Sequence, residues 1–88
     1  LSYARAFLII SDRPSEIAAA IVAGLNRGAT AWPARGVYTG ADREVVLSVV
    51  NRSEVSRLKE IIYGVDPCAF VILADVHEVL GEGFKEYK

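Results

Sequence analysis

A chain of 88 residues holds a single domain, and a domain of that size buries only about 60–65% of the surface its unfolded chain exposes. Its composition is 52% hydrophobic at a net charge of -1, which leaves no basic excess to hold a nucleic-acid backbone and more apolar surface than so small a body can hide. The single cysteine, Cys68, excludes an intrachain disulfide framework or a thiolate metal cluster, and no apolar run approaches the ~20 residues of a membrane-spanning helix.

The first predicted strand is 4–10, where Phe7, Leu8, Ile9 and Ile10 leave no polar face. Ser11-Asp12-Arg13-Pro14 breaks it. Pro14 suits the first turn of a helix, Asp12 or Arg13 is placed to cap it, and Glu16 adds favourable negative charge. The helix is predicted over 14–25, with Ile17, Ile21, Gly24 and Leu25 as its inward stripe and Ala18, Ala19, Ala20 and Ala23 allowing close approach. Asn26 or Gly28 supplies its left-handed closing residue.

The second strand is expected over 29–38. Pro33 cannot donate to a ladder, which puts this strand at an edge, and Gly36 marks a bulge or bend. The segment 39–43 turns the chain into a third strand at 44–50, so the two form an antiparallel hairpin. Asn51-Arg52-Ser53-Glu54 has the spacing of a capping box and opens the second helix. Val55, Leu58, Ile61 and Ile62 form its inner stripe, Glu54 and Arg57 are spaced for a surface pair, and Gly64 with Pro67 ends it. The fourth strand, Ala-Phe-Val-Ile-Leu-Ala at 69–74, is again a continuous apolar run.

Strand, helix, strand, strand, helix, strand with right-handed crossovers gives an α+β fold, the ferredoxin-like βαββαβ sandwich. Its four-stranded antiparallel sheet has order 4-1-3-2 with both helices on one face. Runs 6–10, 45–50 and 69–74 want cover on both sides, and the helices cover one. A homo-oligomer, a dimer first, pairing through the open sheet face is therefore expected. The chain has no methionine and begins Leu1-Ser2. It reads as one domain, 1–88, excised from a larger protein.

Several short constellations carry possible chemistry. Arg27-Gly28-Ala29-Thr30 offers a cation, a pliant backbone and a hydroxyl. Gly36-Val37-Tyr38-Thr39-Gly40 offers backbone N–H groups for an anion-binding nest and an aromatic plate. The alternative is that these glycines serve turns and Tyr38 packs. His77-Glu78 could be a general base or join Asp75 and Glu82 around a hard cation, or simply be a solvated tail after the last strand. Gly81-Glu82-Gly83 reads as a turn that docks Phe84 on the body. Cys68 reads as a buried structural thiol, and Trp32 as a packing or interface residue. There is no nucleophile elbow, paired thiol motif or Walker loop. The expectation is a non-enzyme without metal or cofactor.

Five segments follow one another in a familiar order: Arg27-Gly28-x-Thr30, Gly36-x-Tyr38-Thr39-Gly40, Val49-Val50-Asn51-Arg52-x-Glu54-Val55-x-Arg57-Leu58-Lys59, Asp66-Pro67-x-Ala69-Phe70-Val71 and His77-Glu78-Val79-x-Gly81-x-Gly83-Phe84. Together they resemble the C-terminal domain of unknown function of the YitT-type family of bacterial multi-pass membrane proteins. The resemblance implies a soluble domain on the cytoplasmic face of the plasma membrane, attached to a membrane-embedded portion absent from this chain. Its topology resembles PII-like and ACT-like regulatory modules, which implies sensing of a small anionic or nucleotide-like ligand. In that role Arg27 supplies charge, Thr30 and Thr39 supply hydroxyls, Gly28, Gly36 and Gly40 give backbone access, and Tyr38 stacks. The alternative is a purely structural dimerisation domain with no ligand.

Overall fold

Side-chain alternation decides which residues of this chain meet a helix. The computed structural model describes residues 4–81. The elements are β1 (Ala4–Ile10), α1 (Pro14–Leu25), β2 (Thr30–Arg35), β3 (Asp42–Asn51), a 3-10 turn (Arg52–Glu54), α2 (Val55–Val65) and β4 (Phe70–Val76). The sheet order is β2-β3-β1-β4, every pair antiparallel. This is the expected 4-1-3-2 order read from its other edge, with the apolar runs 6–10 and 45–50 at the centre. Pro33 lies in β2 at the edge, where its missing N–H breaks no ladder.

The core lies between the helices and one face of the sheet. Phe7 and Ile9 of β1, Val46 and Val50 of β3, Ile17 and Ile21 of α1, and Leu58 and Ile62 of α2 are fully buried there. Val71 and Leu73 of β4 pack against this cluster from the other edge. The helices also meet each other: a Cβ at Gly24 would stand 2.8 Å from Ile61 Cδ1, so glycine lets α1 lie close to α2.

The helix ends follow mostly from their sequence. Pro14 opens α1 after Arg13, which caps it without a side-chain hydrogen bond, and Asn26 closes it at φ 54°. Asn51 and Glu54 form the expected capping box, but the turn it opens is 3-10 before α2 begins at Val55. Glu54 does not pair with Arg57 across the surface. Arg57 instead reaches Glu60 at 3.5 Å. Gly64 does not stop α2, which runs to Val65 and breaks at Asp66, where the backbone turns extended ahead of Pro67. The second strand is shorter than expected and the third longer, because the hairpin closes at Gly36 rather than at Tyr38. The Gly36 N–H donates to the Ala41 carbonyl at 2.9 Å, and Gly40 takes the left-handed conformation at φ 74°. Phe84 lies outside the described residues.

Asp66 ties the ends of three elements. Ser11, buried after β1, donates its hydroxyl to Asp66 Oδ2 and accepts the Arg13 N–H at 2.9 Å. Asp66 Oδ1 accepts the Cys68 N–H at 2.9 Å, and the Arg13 guanidinium donates to the Val65 carbonyl at 3.0 Å. The Ser11 hydroxyl first, then the Cys68 and Asp12 N–H groups and the Arg13 charge, hold the Asp66 carboxyl below its ordinary value of 3.8 against the desolvation that raises it. A depressed carboxyl contributes its full stability above that ordinary value and loses it as the pH falls through the folded value. Asp66→Asn is therefore expected to flatten the loss of stability as the pH falls below about 4. Urea midpoints measured across that window for both proteins check it, and parallel curves contradict it.

Candidate functional site

The strand register places the candidate residues at different ends of the sheet. β1 begins, β3 ends and β4 ends at one end, where Ala4 lies opposite both Asn51 and Val76. Arg27, Gly28 and Thr30 belong to that end. The 36–40 turn belongs to the other, beyond the Arg35–Asp42 pair that closes the ladder of β2 and β3. The whole of β2, 6 residues at about 3.3 Å each, separates the two groups. One site containing Arg27, Gly28, Thr30, Gly36, Tyr38, Thr39 and Gly40 is not assembled.

Arg27 is a structural residue. Its side chain is 5% exposed, and its Nε donates to both oxygens of Glu54, at 3.0 and 3.3 Å. The same carboxylate accepts the Asn51 N–H at 2.8 Å. One half-buried glutamate thus joins the exit of α1, the end of β3 and the entry to α2. The Gly28 carbonyl is also occupied, accepting the hydroxyl of buried Ser48 at 3.1 Å. Thr30 is exposed on the open face opposite Leu47.

The 36–40 turn uses much of its own polarity. Gly36 N–H donates to Ala41, Gly40 N–H donates to Gly36 at 2.7 Å, and Ala41 N–H donates to Thr39 Oγ1 at 3.2 Å. These three donors are not available for an anion-binding nest. Tyr38 at the tip is fully exposed and forms no plate over the turn. Gly36 and Thr39 do line a cavity of about 200 Å³, with Ile10, Ala34, Val45 and the side chain of Arg43. Arg43 was hidden in the sequence because it sits in what reads as a turn segment. The observed strand begins at Asp42, and that brings Arg43 opposite Ala34 in register.

His77 and Glu78 follow β4 and are both exposed. No three His, Cys, Asp or Glu side chains gather into a metal-holding group among the described residues. Cys68 is exposed in the α2–β4 turn rather than buried. No helix of the described residues is long and apolar enough to cross a membrane.

The largest feature is the second face of the sheet. Register puts Trp32, Val45, Ile10 and Phe70 in one row across it. The next row is Thr30, Leu47, Leu8 and Ile72, and Val49, Ala6 and Ala74 follow. Thr30 is the only polar member. Trp32, Ile72 and Phe70 are 40%, 44% and 61% exposed. Among the described residues no element covers this face.

Four antiparallel strands in the order β2-β3-β1-β4 with two helices define an α+β, ferredoxin-like sandwich. Residues 27–81 match the family described as uncharacterized protein conserved in bacteria, DUF2179, and the chain belongs to that family. It is 44% identical over 85 residues to an uncharacterized protein in the cccA 5' region of Bacillus sp. strain PS3, covering 97% of this chain and 57% of that protein. It is 43% identical to the UPF0750 membrane protein YxkD of Bacillus subtilis, over 96% of this chain and 30% of the relative, and 32% identical to YitT of the same organism, over 84% and 26%. The chain therefore spans from about a quarter to somewhat over half of these relatives. A DUF2179 crystal structure from Eubacterium ventriosum superposes with TM-score 0.69 at 27% identity, over 81% of this chain and 97% of that one. A functionally unknown protein from Pediococcus pentosaceus superposes with TM-score 0.73 at 14% identity, over 92% and 98%, and shares the fold.

Removing Arg27 leaves the partly buried Glu54 without its cation. Arg27→Ala is expected to cost about 3 kcal/mol, a fall in Tm of ~12–24 °C for a domain of this size. Thermal unfolding followed by circular dichroism checks it; a shift below about 3 °C contradicts the structural role.

Proposed function

We propose that this domain is the regulatory and self-associating part of a membrane protein, pairing with a second copy through its open sheet face on the cytoplasmic side. The apolar grid of eleven residues on that face, with Thr30 its sole polar member, carries the reading. Such a face is self-complementary under a two-fold axis, and its central rows carry no charge. The exposed thiol of Cys68 suits a reducing compartment.

The magnitudes favour modest affinity. Four strands spaced ~4.8 Å apart and about seven residues long at ~3.4 Å each give a footprint of roughly 450 Å². That is about half of the ~800 Å² a standard interface takes from each partner. Trp32, Phe70 and Ile72, each roughly half exposed, leave about 1 kcal/mol apiece unrealised. An isolated pair of domains is thus weak, and attachment to a common membrane portion raises the effective concentration towards millimolar. That combination suits a contact that forms and breaks under control.

A purely structural pairing domain is the second reading, and the commitment of Arg27 to Glu54 favours it over a ligand site at that end. The two differ in whether a small molecule changes the pairing.

Sedimentation velocity over ~10 µM to ~1 mM tests the pairing. A monomer–dimer equilibrium is expected, abolished by Ile72→Lys, whose side chain is on the open face, and unaffected by Lys59→Glu on the outer side of α2. A monomer throughout contradicts self-pairing and leaves the rest of the parent protein as the cover. An equilibrium that ignores Ile72→Lys contradicts the face.

A further inference from the structure

The open face ends, beside the β2–β3 hairpin, in a cleft with an incompletely satisfied arginine. Its wall holds Ile10, Val45 and Ala34, the Thr39 and Gly36 edge of the turn, and two arginines, Arg35 and Arg43. Alternation explains why these residues meet. Ile10 lies opposite Val45, Ala34 lies opposite Arg43, and all four have the parity of the bare face. Asp42 and Glu44 have the other parity, and with Ser11, Asp12, Pro14 and Arg43 itself they line an adjoining hollow of about 330 Å³. Arg43 thus stands between the two hollows: Asp12, Asp42 and Glu44 line the adjoining one, and no carboxylate lines the cleft.

Arg43 is short of acceptors. Its Nε is buried with no hydrogen-bond partner, and its Nη1 has one carboxylate, Asp12 Oδ1, at 3.4 Å. Asp12 is 87% exposed, so this contact is long, solvated and easily exchanged. A buried polar donor without an acceptor costs free energy, and a guanidinium is suited to take two oxygens of one oxyanion. Thr39 Oγ1 accepts from Ala41 and still has its own proton to donate. The volume of about 200 Å³ holds roughly six or seven waters' worth of ligand, enough for an oxyanion with a short apolar body against Ile10 and Val45.

We propose that this cleft binds a small oxyanion, a monocarboxylate or a phosphate monoester with a short apolar body, held by Arg43 and Thr39. The proposal deepens the regulatory reading, on which it rests, and moves the ligand from Arg27 and Tyr38 to Arg43 and Thr39. Binding exchanges Asp12 for the ligand on Arg43. It also places the ligand at the rim of the pairing face, since Trp32 shares a row with Val45 and Ile10.

Trp32 is the single tryptophan and reports directly on that rim. Its fluorescence is titrated with butyrate and, separately, with inorganic phosphate, at constant ionic strength against chloride. The protein is held at a concentration where sedimentation shows monomer, so the outcome is independent of whether pairing occurs. A saturable change with half-saturation in roughly the 0.1–10 mM range is expected for at least one probe, weakened at least about tenfold in Arg43→Gln and unchanged in Arg57→Gln. The stronger probe tells a carboxylate source from a phosphoryl one. In wild type, amide shifts on adding that probe are expected to cluster within 34–45, which keeps the test valid if Arg43→Gln fails to fold. No saturable response to either probe, a response equal to chloride's, one unchanged in Arg43→Gln, or shifts spread over the domain overturns the proposal.

Discussion

Alternation along four antiparallel strands sorts the apolar residues of this sheet into two sets, and the helices cover one of them. Phe7, Ile9, Val46 and Val50 lie under α1 and α2 and are fully buried. Leu8, Ile10, Val45, Leu47 and Val49 point the other way and are half-buried by their neighbours alone. A register slip of one residue would exchange the sets without relieving the imbalance, because the runs 6–10 and 45–50 are apolar at every position but Ser48. The surplus is thus a property of the strands themselves, and the domain carries it wherever it folds.

The two ends of the sheet have different characters. At the Arg27 end, polar groups are spent on architecture. Glu54 binds Arg27 and the Asn51 N–H, and Ser48 binds the Gly28 carbonyl. Burying charges there requires mutual satisfaction, and that leaves little to offer a ligand. At the hairpin end the arginine is held loosely by an exposed aspartate beside an apolar cleft. Ligand chemistry belongs where polar groups retain unspent capacity, and that end also adjoins the open face.

Most of the fold was legible in the chain. The runs 6–10 and 45–50, Pro33 and the Asn51–Glu54 box each specify a local choice that agrees with the others, and together they admit few topologies. Hairpin details were not legible, because Gly36 and Gly40 are compatible with several closures and the choice rests on the Gly36–Ala41 hydrogen bonding. The candidate site was read least well. Arg27 looks the same in sequence whether it meets a ligand or Glu54, since the two are 27 positions apart and only the packing of α1 on α2 brings them together. Arg43 was missed for the converse reason: its neighbours Ile10 and Asp12 come from the far end of β1.

This chain is a DUF2179 domain similar to part of the UPF0750 membrane protein YxkD, and its bare face is the surface we propose a second copy covers. The most direct test of what meets it is an isotope-filtered NMR experiment on a mixture of labelled and unlabelled domain. Intermolecular contacts from the methyl groups of Leu8, Val45, Leu47 and Ile72 are the predicted result. Contacts confined to the outer surfaces of α1 and α2, or none at concentrations approaching millimolar, would contradict the account.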